Sequence, residues 1–389
     1  MNVVTFFFVP ICATGDSGGM EFIMKTLQFN VNQFREYLKD KHCICFGAGL
    51  QGMNAIYILE NWDMSDRLRF FIDNNSSRWG SKYNVEKHSY DIFSIDEARN
   101  LIDNDTVIFI TCQDVVGVIE QLNHIEEFNN VPCVSLTSLG QQQMLISSYD
   151  SIIKTSDTPL IPKIIHYCWF GGEMPKLMQD NVEKWRRMCS DYEIKLWNED
   201  NYDVTKCAYM YEAYRHKAWG FVSDYIRLDI IRQYGGIYLD TDVEILKKPD
   251  ALLYQESFGI SDASFFMNLG AGFGSIPNNP LIKEFLDVYE HENFVLPDGR
   301  INNAPCIFYQ YRVLRKYGIK LDDSLQSVKG FNIYPMIMAS TVPRSMQMRL
   351  SDMAYFAHYG TMTWMNSEHL NRRKAVREHK IDGLVEYSL

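Results

Sequence analysis

The sequence lacks the marks of a disulfide-stabilised, zinc-stabilised or nucleic-acid-binding protein. Its nine cysteines are odd in number and include no Cys-x-x-Cys pair, which argues against a disulfide framework and a structural zinc site. A reducing cytoplasm fits this cysteine usage. Positive charge is also in deficit, with a net charge of -11. That balance argues against general nucleic-acid binding, because a protein that follows a phosphate backbone needs a basic face.

A long hydrophobic run is missing as well. The longest apolar stretch near the start, residues 3–13, is interrupted by Pro10 and has no basic leader. It therefore predicts neither a membrane-spanning helix nor a signal peptide. Met20 and Met24 are candidate start residues, and we expect residues 1–25 to be a disordered or artefactual extension.

What the chain does contain is material for two hydrophobic cores. It has 389 residues, of which 46% are hydrophobic and 14% aromatic, and this size favours two domains. A polar segment that ends in two prolines, residues 147–162, is typical of a linker. We predict an α/β fold on both sides of it, in residues 26–150 and 155–389.

The first predicted domain begins with a nucleotide-binding pattern. An apolar strand is followed by Gly47, Gly49 and Gly52 and then by a helical pattern, and the next predicted strand ends in Asp73, 21 residues beyond Gly52. This spacing is typical of a Rossmann-like unit. Two hypotheses stay open: these residues bind a nucleotide or sugar nucleotide, or the domain is structural or a docking module. We see no acid–base partner for a dehydrogenase.

In the second half, a helix, a strand and two aspartates follow one another. The helical period places Asp224 and Arg227 on one face, and a Gly-Gly pair then leads into the apolar strand 237–239 and on to Asp240 and Asp242. Hard cations prefer carboxylate oxygens and leave positions open for phosphate oxygens. The pattern therefore predicts a Mn²⁺ or Mg²⁺ site that receives a nucleotide diphosphate.

These residues carry a family resemblance. The pattern Ser-Asp-x-x-Arg, Tyr-Gly-Gly-x-Tyr-x-Asp-x-Asp at positions 223–242 resembles the DXD-containing sugar-binding glycosyltransferases, which include capsular-polysaccharide and mannosyl transferases and are similar to glucosylating bacterial toxins. Residues 161–172, 268–280 and 358–364 resemble the family's first strand, acceptor-side loop and closing segment. Four blocks in one order are far less expected by chance than one. The resemblance implies a GT-A-type fold. The first domain, with Phe-x-Asp-Asn at 71–74, resembles nucleotide-binding domains fused to sugar-modifying enzymes.

The resemblance implies a role for each polar candidate. Asp242 is the metal ligand, Asp240 contacts the metal or the donor, and His358 closes the metal or diphosphate site. Asp224 and Arg227 grip the hydroxyls of the donor sugar. The alternatives are an ordinary i, i+3 ion pair for Asp224 and Arg227 and a surface position for His358.

The remaining candidates are aromatic, glycine and amide residues. The resemblance implies that Trp169 stacks on the nucleotide base, with a core position as the alternative. We assign Gly236 and Tyr238 to the same nucleotide-sugar side. Asn268 and the glycines after it are expected to approach the sugar, because glycine permits close backbone contact. We expect His166 to be a packed residue without a chemical role.

The implied reaction moves a sugar, with retained anomeric configuration, from a UDP- or GDP-sugar, UDP being favoured, to a glycan or lipid-linked glycan. Surface or capsular polysaccharide synthesis is the implied setting. Two other hypotheses are an aspartate-dependent phosphatase with Asp240 as nucleophile and Asp322 and Asp323 as its later acids, and a non-catalytic sugar-nucleotide-binding protein. The basic segment 371–380 suggests peripheral contact with the inner face of a membrane, against the alternative of a solvated helix.

Overall fold

The computed structural model describes residues 24–341 and 352–360. The described residues divide into two compact units, with the boundary between Leu145 and Ile146. Several predictions fall on residues that are not described: most of the N-terminal extension (1–23), Thr361, Thr363 and Trp364 of the closing segment, and the basic segment 371–380.

The described part of the first unit is a seven-stranded sheet with helices. Its strands are β1 (Lys25–Thr26), β2 (His42–Phe46), β3 (Leu68–Ile72), β4 (Lys82–Val85), β5 (His88–Phe93), β6 (Thr106–Ile110) and β7 (Pro132–Ser135). Its helices are α1 (Val31–Leu38), α2 (Leu50–Asn61), α3 (Ile95–Ala98), α4 (Val115–Asn123) and α5 (Leu136–Ile146).

The strand order of this sheet is β1-β7-β6-β2-β3-β5-β4. All neighbours pair in parallel except β4, which is antiparallel to β5. The first strand of the glycine-rich unit, β2, is central, the next strands lie on one side, and the chain then crosses to β6 on the other. This is the order of a doubly wound sheet, with its switch point between β2 and β6. The predicted Rossmann-like fold is confirmed.

The second unit contains a mixed sheet of seven strands and a small sheet of three strands. Its strands are β8 (Ile164–Cys168), β9 (Glu193–Trp197), β10 (Gly236–Tyr238), β11 (Val243–Ile245), β12 (Ser257–Ile260), β13 (Phe273–Ser275), β14 (Gln326–Val328), β15 (Phe331–Tyr334), β16 (Ala339–Thr341) and β17 (Phe356–His358). Its helices are α6 (Lys176–Met188), α7 (Ala208–Arg215), α8 (Trp219–Tyr234), α9 (Pro280–Tyr289) and α10 (Cys306–Leu314). Of the helices in the described ranges, none has the length and apolar content needed to cross a bilayer.

Two sheets organise this unit. Seven strands lie in the order β14-β15-β12-β13-β10-β8-β9, and β11, β17 and β16 form a separate small sheet. β8 runs parallel to both β9 and β10, whereas β13 runs antiparallel to β10 and β12. The predicted α/β fold of the second half is confirmed, and the two predicted aspartates follow β10 at the carboxyl end of its parallel pairing with β8.

Two glycines allow α8 to turn directly into β10. Gly235 ends the helix with φ +65° and Gly236 follows with φ +98°, a backbone region that other residues rarely adopt. A Cβ on Gly235 would lie 2.8 Å from Pro277, and one on Gly236 would lie 2.7 Å from the carbonyl oxygen of Ile164. The Gly-Gly pair therefore lets β10 lie close against β8.

The predicted linker packs on the second unit. The amide of Leu160 donates to the carbonyl of Leu253 at 2.7 Å, and the amide of Ile153 donates to the hydroxyl of Tyr334 at 2.8 Å. Its backbone polar groups are thus partly satisfied by this unit.

Candidate active site

A buried arginine joins helix α8 to the end of β10. Arg227 is 4% exposed, and its Nη1 lies 3.1 Å from Asp224 Oδ1 while its Nη2 lies 3.2 Å from Asp240 Oδ1. The hydroxyl of Tyr238 donates to the same Asp240 oxygen at 2.9 Å. The structure thus brings the four predicted residues together: Asp224, Arg227 and Tyr238 are buried, and Asp240 is half-buried. The i, i+3 ion pair of Asp224 and Arg227 is present and is part of this network.

The carboxyl group of Asp224 is affected by this burial. Burial raises its pKa to about 6, although the neighbouring guanidinium of Arg227 acts in the opposite direction. Near pH 7 the carboxylate is therefore mainly ionised and able to accept hydrogen bonds.

Asp240, Asp242 and His358 form a cluster that suits a divalent cation. One ligand atom from each lies within 4.8 Å of the others. His358 Nε2 is 3.4 Å from Asp242 Oδ1, and its side chain is 14% exposed. Carboxylates are preferred by Mg²⁺ and Mn²⁺, and an imidazole is compatible with a transition metal. The residues present fit the predicted cation.

The protonation of His358 depends on the same carboxylates. Burial lowers its pKa, but the hydrogen bond to Asp242 and the charges of Asp240 and Asp262 raise it, and the net pKa lies above its usual value. Only a neutral imidazole can ligate a metal, so a cation held by His358 would take the place of this proton.

His358 reaches the cluster through the small sheet. β17 pairs antiparallel with β11, and His358 lies opposite Val243, the residue after Asp242. The amide of Tyr359 donates to the carbonyl of Asp242 at 3.1 Å. The register of one strand pair therefore decides which side chain completes the cluster.

The loop after β12 closes another side of the site. Asp262 Oδ1 accepts from the amide of Ser264 at 2.8 Å, and its Oδ2 accepts from Asn268 Nδ2 at 3.3 Å. Asn268 Oδ1 accepts from the amide of Gly270 at 2.9 Å, and the amide of Asp240 donates to the carbonyl of Gly270 at 3.1 Å. Both ends of the Asn268 amide thus hold the loop, and its predicted contact with the sugar stays a prediction.

Gly270 lies against the Asp240 carboxylate. A Cβ at this position would be 2.2 Å from Asp240 Oδ2. We expect Gly270→Ala to displace the carboxylate and to weaken Mn²⁺ binding about 10- to 100-fold, as changes around metal ligands commonly do. Calorimetric titration with Mn²⁺ checks this result. If Gly270→Ala binds Mn²⁺ as tightly as the wild type, cation binding does not depend on where the Asp240 carboxylate lies.

Trp169 follows β8 at the same edge of the sheet as Asp240. The neighbouring strands β8 and β10 are parallel, with His166 opposite Tyr238. Trp169 is half-buried, and its Nε1 donates to the carbonyl of Gly172 at 3.0 Å. Part of a half-buried indole is accessible to a ligand. The position of Trp169 is therefore compatible with stacking on a base, which stays a prediction.

Gly236 and Tyr238 are buried. The space beside Gly236 is filled by the Ile164 carbonyl, and the Tyr238 hydroxyl is bonded to Asp240. Both residues therefore act in the structure by shaping the strand end. Their assignment to nucleotide-sugar contact stays a prediction.

His166 is a packed residue, as expected. Trp197 Nε1 donates to its Nδ1 at 3.0 Å, so its Nε2–H donates to the carbonyl of Gly235 at 2.9 Å. Burial lowers its pKa to about 4. The imidazole is neutral and serves to join β8, β9 and the end of α8.

The glycines of the first unit form a tight strand-to-helix turn. Gly47 has φ +113°, and a Cβ there would lie 2.7 Å from the carbonyl oxygen of Thr111. A Cβ on Gly52 would lie 2.5 Å from the carbonyl oxygen of Gly47, and Gly49 is the N-cap of α2. Each glycine is thus explained by packing or capping. Nucleotide binding by them stays a prediction.

Asp73 lies beside this turn. Its Oδ2 accepts from the amide of Ala48 at 2.8 Å and lies 2.9 Å from Arg78 Nη1. Arg78 Nη1 also donates to the carbonyl of Ala48 at 2.7 Å. The carboxylate holds the turn in the structure, and its predicted contact with a ribose is a separate, untested role.

Two residues of the site were not predicted from the sequence. Asp262 organises the loop that supports Asp240, and Cys306, the first residue of α10, lies with its Sγ 3.8 Å from Arg227 Nη1. Burial raises the pKa of this thiol. The Ser-Asp-Ala-Ser pattern around Asp262 signals a side-chain turn. No local signal marks Cys306, because it reaches Arg227 through tertiary packing.

Comparisons with known proteins bear on this site. Residues 175–259 match the family model "Glycosyltransferase sugar-binding region containing DXD motif". Inositol phosphoceramide mannosyltransferase 3 of Schizosaccharomyces pombe is 32% identical over 119 residues, which are 27% of this chain and 31% of the relative. Mannosyl phosphorylinositol ceramide synthase SUR1 of Saccharomyces cerevisiae is 28% identical over 138 residues, 34% of this chain and 35% of the relative. The chain thus spans about a third of the length of these relatives.

Two solved structures are also similar. One is the PaToxG glycosyltransferase, with a TM-score of 0.33 and 13% identity over 46% of this chain and 74% of its own. The other is a glycosyltransferase involved in the glycosylation of the major capsid of PBCV-1, with a TM-score of 0.30 and 11% identity over 55% of this chain and 100% of its own.

The family match includes the residues of the network described above. Asp224, Arg227, Asp240 and Asp242 all lie inside the matched region, whereas His358 and the loop around Asp262 lie beyond it. Of the two curated relatives, one is named as a mannosyltransferase and the other as a mannosyl phosphorylinositol ceramide synthase. Residues 175–259 of the second unit are therefore similar to the DXD-containing sugar-binding region of glycosyltransferases.

Proposed function

We propose that the protein is a metal-dependent glycosyltransferase that moves a sugar from a nucleotide-diphosphate donor to a hydroxyl group of an acceptor. One observation carries the proposal. Asp240 belongs both to the buried network with Asp224 and Arg227 and to the cluster with Asp242 and His358. Residues suited to hold sugar hydroxyls thus adjoin residues suited to hold a cation.

In this reaction the bond between the anomeric carbon of the sugar and the diphosphate oxygen breaks, and that oxygen keeps the electron pair. A bond from the same carbon to the acceptor oxygen forms, and the acceptor proton is released. A cation held by Asp240, Asp242 and His358 supplies the positive charge that stabilises the leaving diphosphate. Retention of anomeric configuration is part of the proposal.

The protein residues bind and orient the donor. The ionised Asp224 accepts hydrogen bonds from sugar hydroxyls, and the permanently charged Arg227 keeps this carboxylate in place while it also holds Asp240. Trp169 receives the base at the same edge of the sheet. Binding by these groups fixes the donor for attack.

The names of the relatives suggest the substrates to test first. One name contains inositol phosphoceramide mannosyltransferase and the other mannosyl phosphorylinositol ceramide synthase. Mannose is therefore added to the candidate donor sugars, and a phosphorylated or glycosylated lipid to the candidate acceptors. A preference for UDP, a role in surface polysaccharide synthesis, and a cytoplasmic location at the inner membrane face complete the proposal.

Slow hydrolysis of the donor tests the proposal without knowledge of the acceptor. Nucleotide release is measured from a panel of UDP- and GDP-sugars, including GDP-mannose, with Mn²⁺ and with chelator. We expect release from one donor that requires the metal. Binding without release would favour the sugar-nucleotide-binding alternative, and phosphate release from simple esters would favour the phosphatase.

A further inference from the structure

Helix α6 presents a polar residue at a buried position. The buried residues of this helix are Met178, Asn181, Val182 and Trp185, which follow the helical period of a core-facing stripe. Asn181 is 2% exposed. Asparagine is mostly exposed in proteins, and burying an amide is unfavourable unless it forms hydrogen bonds. Its presence in this stripe therefore needs an explanation.

The explanation lies in the turn that carries the two aspartates. Asn181 Nδ2 donates to the carbonyl oxygen of Thr241 at 3.1 Å. Trp185, one helical turn further and fully buried, donates from Nε1 to the carbonyl oxygen of Val243 at 2.9 Å. The two accepting carbonyls stand on either side of Asp242 in the chain.

The backbone of Asp242 itself is held from another direction. Its carbonyl oxygen accepts from the amide of Tyr359, next to His358, at 3.1 Å. Three consecutive carbonyls, those of Thr241, Asp242 and Val243, thus accept hydrogen bonds from groups outside the turn. Because each bond fixes a peptide plane, together they fix the direction in which the Asp242 side chain leaves the backbone.

We propose that Asn181 and Trp185 are positioning residues of the cation site, which hold Asp242 through the carbonyls on either side of it. The inference rests on the proposed function, since it assumes that Asp242 is a metal ligand. It goes further by assigning the geometry of the site to side chains that lie on a different helix and do not touch the cation.

Helix α6 also offers a matched control. Lys184 lies on the same helix, and its Nζ is 3.0 Å from Glu244 Oε1, but its side chain is 47% exposed. This ion pair contacts the same stretch of chain without bonding to the carbonyls beside Asp242. Exposed pairs of this kind contribute little.

The test is direct Mn²⁺ binding, followed by the loss of the free-ion signal in electron paramagnetic resonance. The proteins compared are wild type, Asn181→Ala, Trp185→Phe and Lys184→Ala. We expect Asn181→Ala to raise the Kd for Mn²⁺ about 10- to 100-fold, in the range found for residues that orient metal ligands. Trp185→Phe, which keeps an aromatic ring but loses the donor, should act in the same direction. Lys184→Ala should change Kd by less than about twofold.

A merely structural role predicts a different pattern. It would lower the unfolding temperature in chelator but leave the Kd of the folded protein unchanged. We expect excess Mn²⁺ to restore nucleotide release to Asn181→Ala. A merely structural role does not predict this rescue.

Wild-type Kd values in both Asn181→Ala and Trp185→Phe would overturn the inference and leave the proposed function standing. If Asn181→Ala does not fold, Trp185→Phe decides alone. A wild-type protein that binds Mn²⁺ no better than Asp242→Ala would overturn the proposed function, and the inference with it.

Discussion

Asp242→Ala is expected to reduce metal-dependent nucleotide release at least about 1,000-fold, which corresponds to about 4 kcal/mol of transition-state stabilisation. Asp242 is 9% exposed and lies in the cluster with Asp240 and His358. Without its carboxylate the cluster retains one acid and one imidazole, too few protein ligands to hold a hard cation firmly. Release from the best donor is measured over a range of Mn²⁺ concentrations.

An acid outside the site provides the control. Asp287 on α9 forms an exposed ion pair with Lys283 four residues earlier. Asp287→Ala should keep nucleotide release near the wild-type level, because such pairs contribute little to stability. Metal-dependent release that survives in Asp242→Ala would place the cation elsewhere.

Arg227→Gln is expected to lower the free energy of unfolding by about 3–5 kcal/mol, the usual effect of removing one partner of a buried ion pair. The side chains of Arg227 and Asp224 are 5% and 12% exposed, and Asp240 lies on the other side of the guanidinium. Without the arginine, two neighbouring carboxylates face each other with no positive charge between them. Urea unfolding in the presence of chelator measures the loss, and nucleotide release should fall with it.

Two further variants give this prediction its control. Arg232→Gln, at a half-buried position of the same helix, should have a much smaller effect on the free energy of unfolding. The double variant Asp224→Asn with Arg227→Gln should be more stable than Arg227→Gln alone, because it removes one of the uncompensated charges. A double variant that is less stable than Arg227→Gln alone would show that Arg227 stabilises the fold through packing.

The local parts of the site could be predicted from the sequence. The helical period placed Asp224 and Arg227 together, and the Gly-Gly pair marked the passage from α8 to β10. The predicted strand 237–239 is β10 at Gly236–Tyr238, a shift of one residue. These features depend on residues that are close together in the chain, so they can be predicted from a single sequence.

The rest depends on contacts between distant segments. Nothing near His358 in the sequence shows that β17 pairs with β11, and a surface position was an equal alternative. The approach of Cys306 to Arg227 arises from the packing of α10. The same holds for Asn181, which sequence patterns treat as one polar residue in an amphipathic helix. The register between distant strands and the packing between distant helices cannot be predicted from local periodicity.

The pairing of β17 with β11 has a consequence for the synthesis of the protein. Asp240 and Asp242 leave the ribosome long before His358 does, so a nascent chain has the two acids without their third partner. The cluster is complete only when β17 has been made and has paired. A cation that binds this complete cluster favours the paired state by mass action, by about 2.7 kcal/mol at a concentration 100 times Kd. Unfinished chains therefore cannot assemble the full cluster, and a cation bound there, as we propose, would help to keep β17 in place.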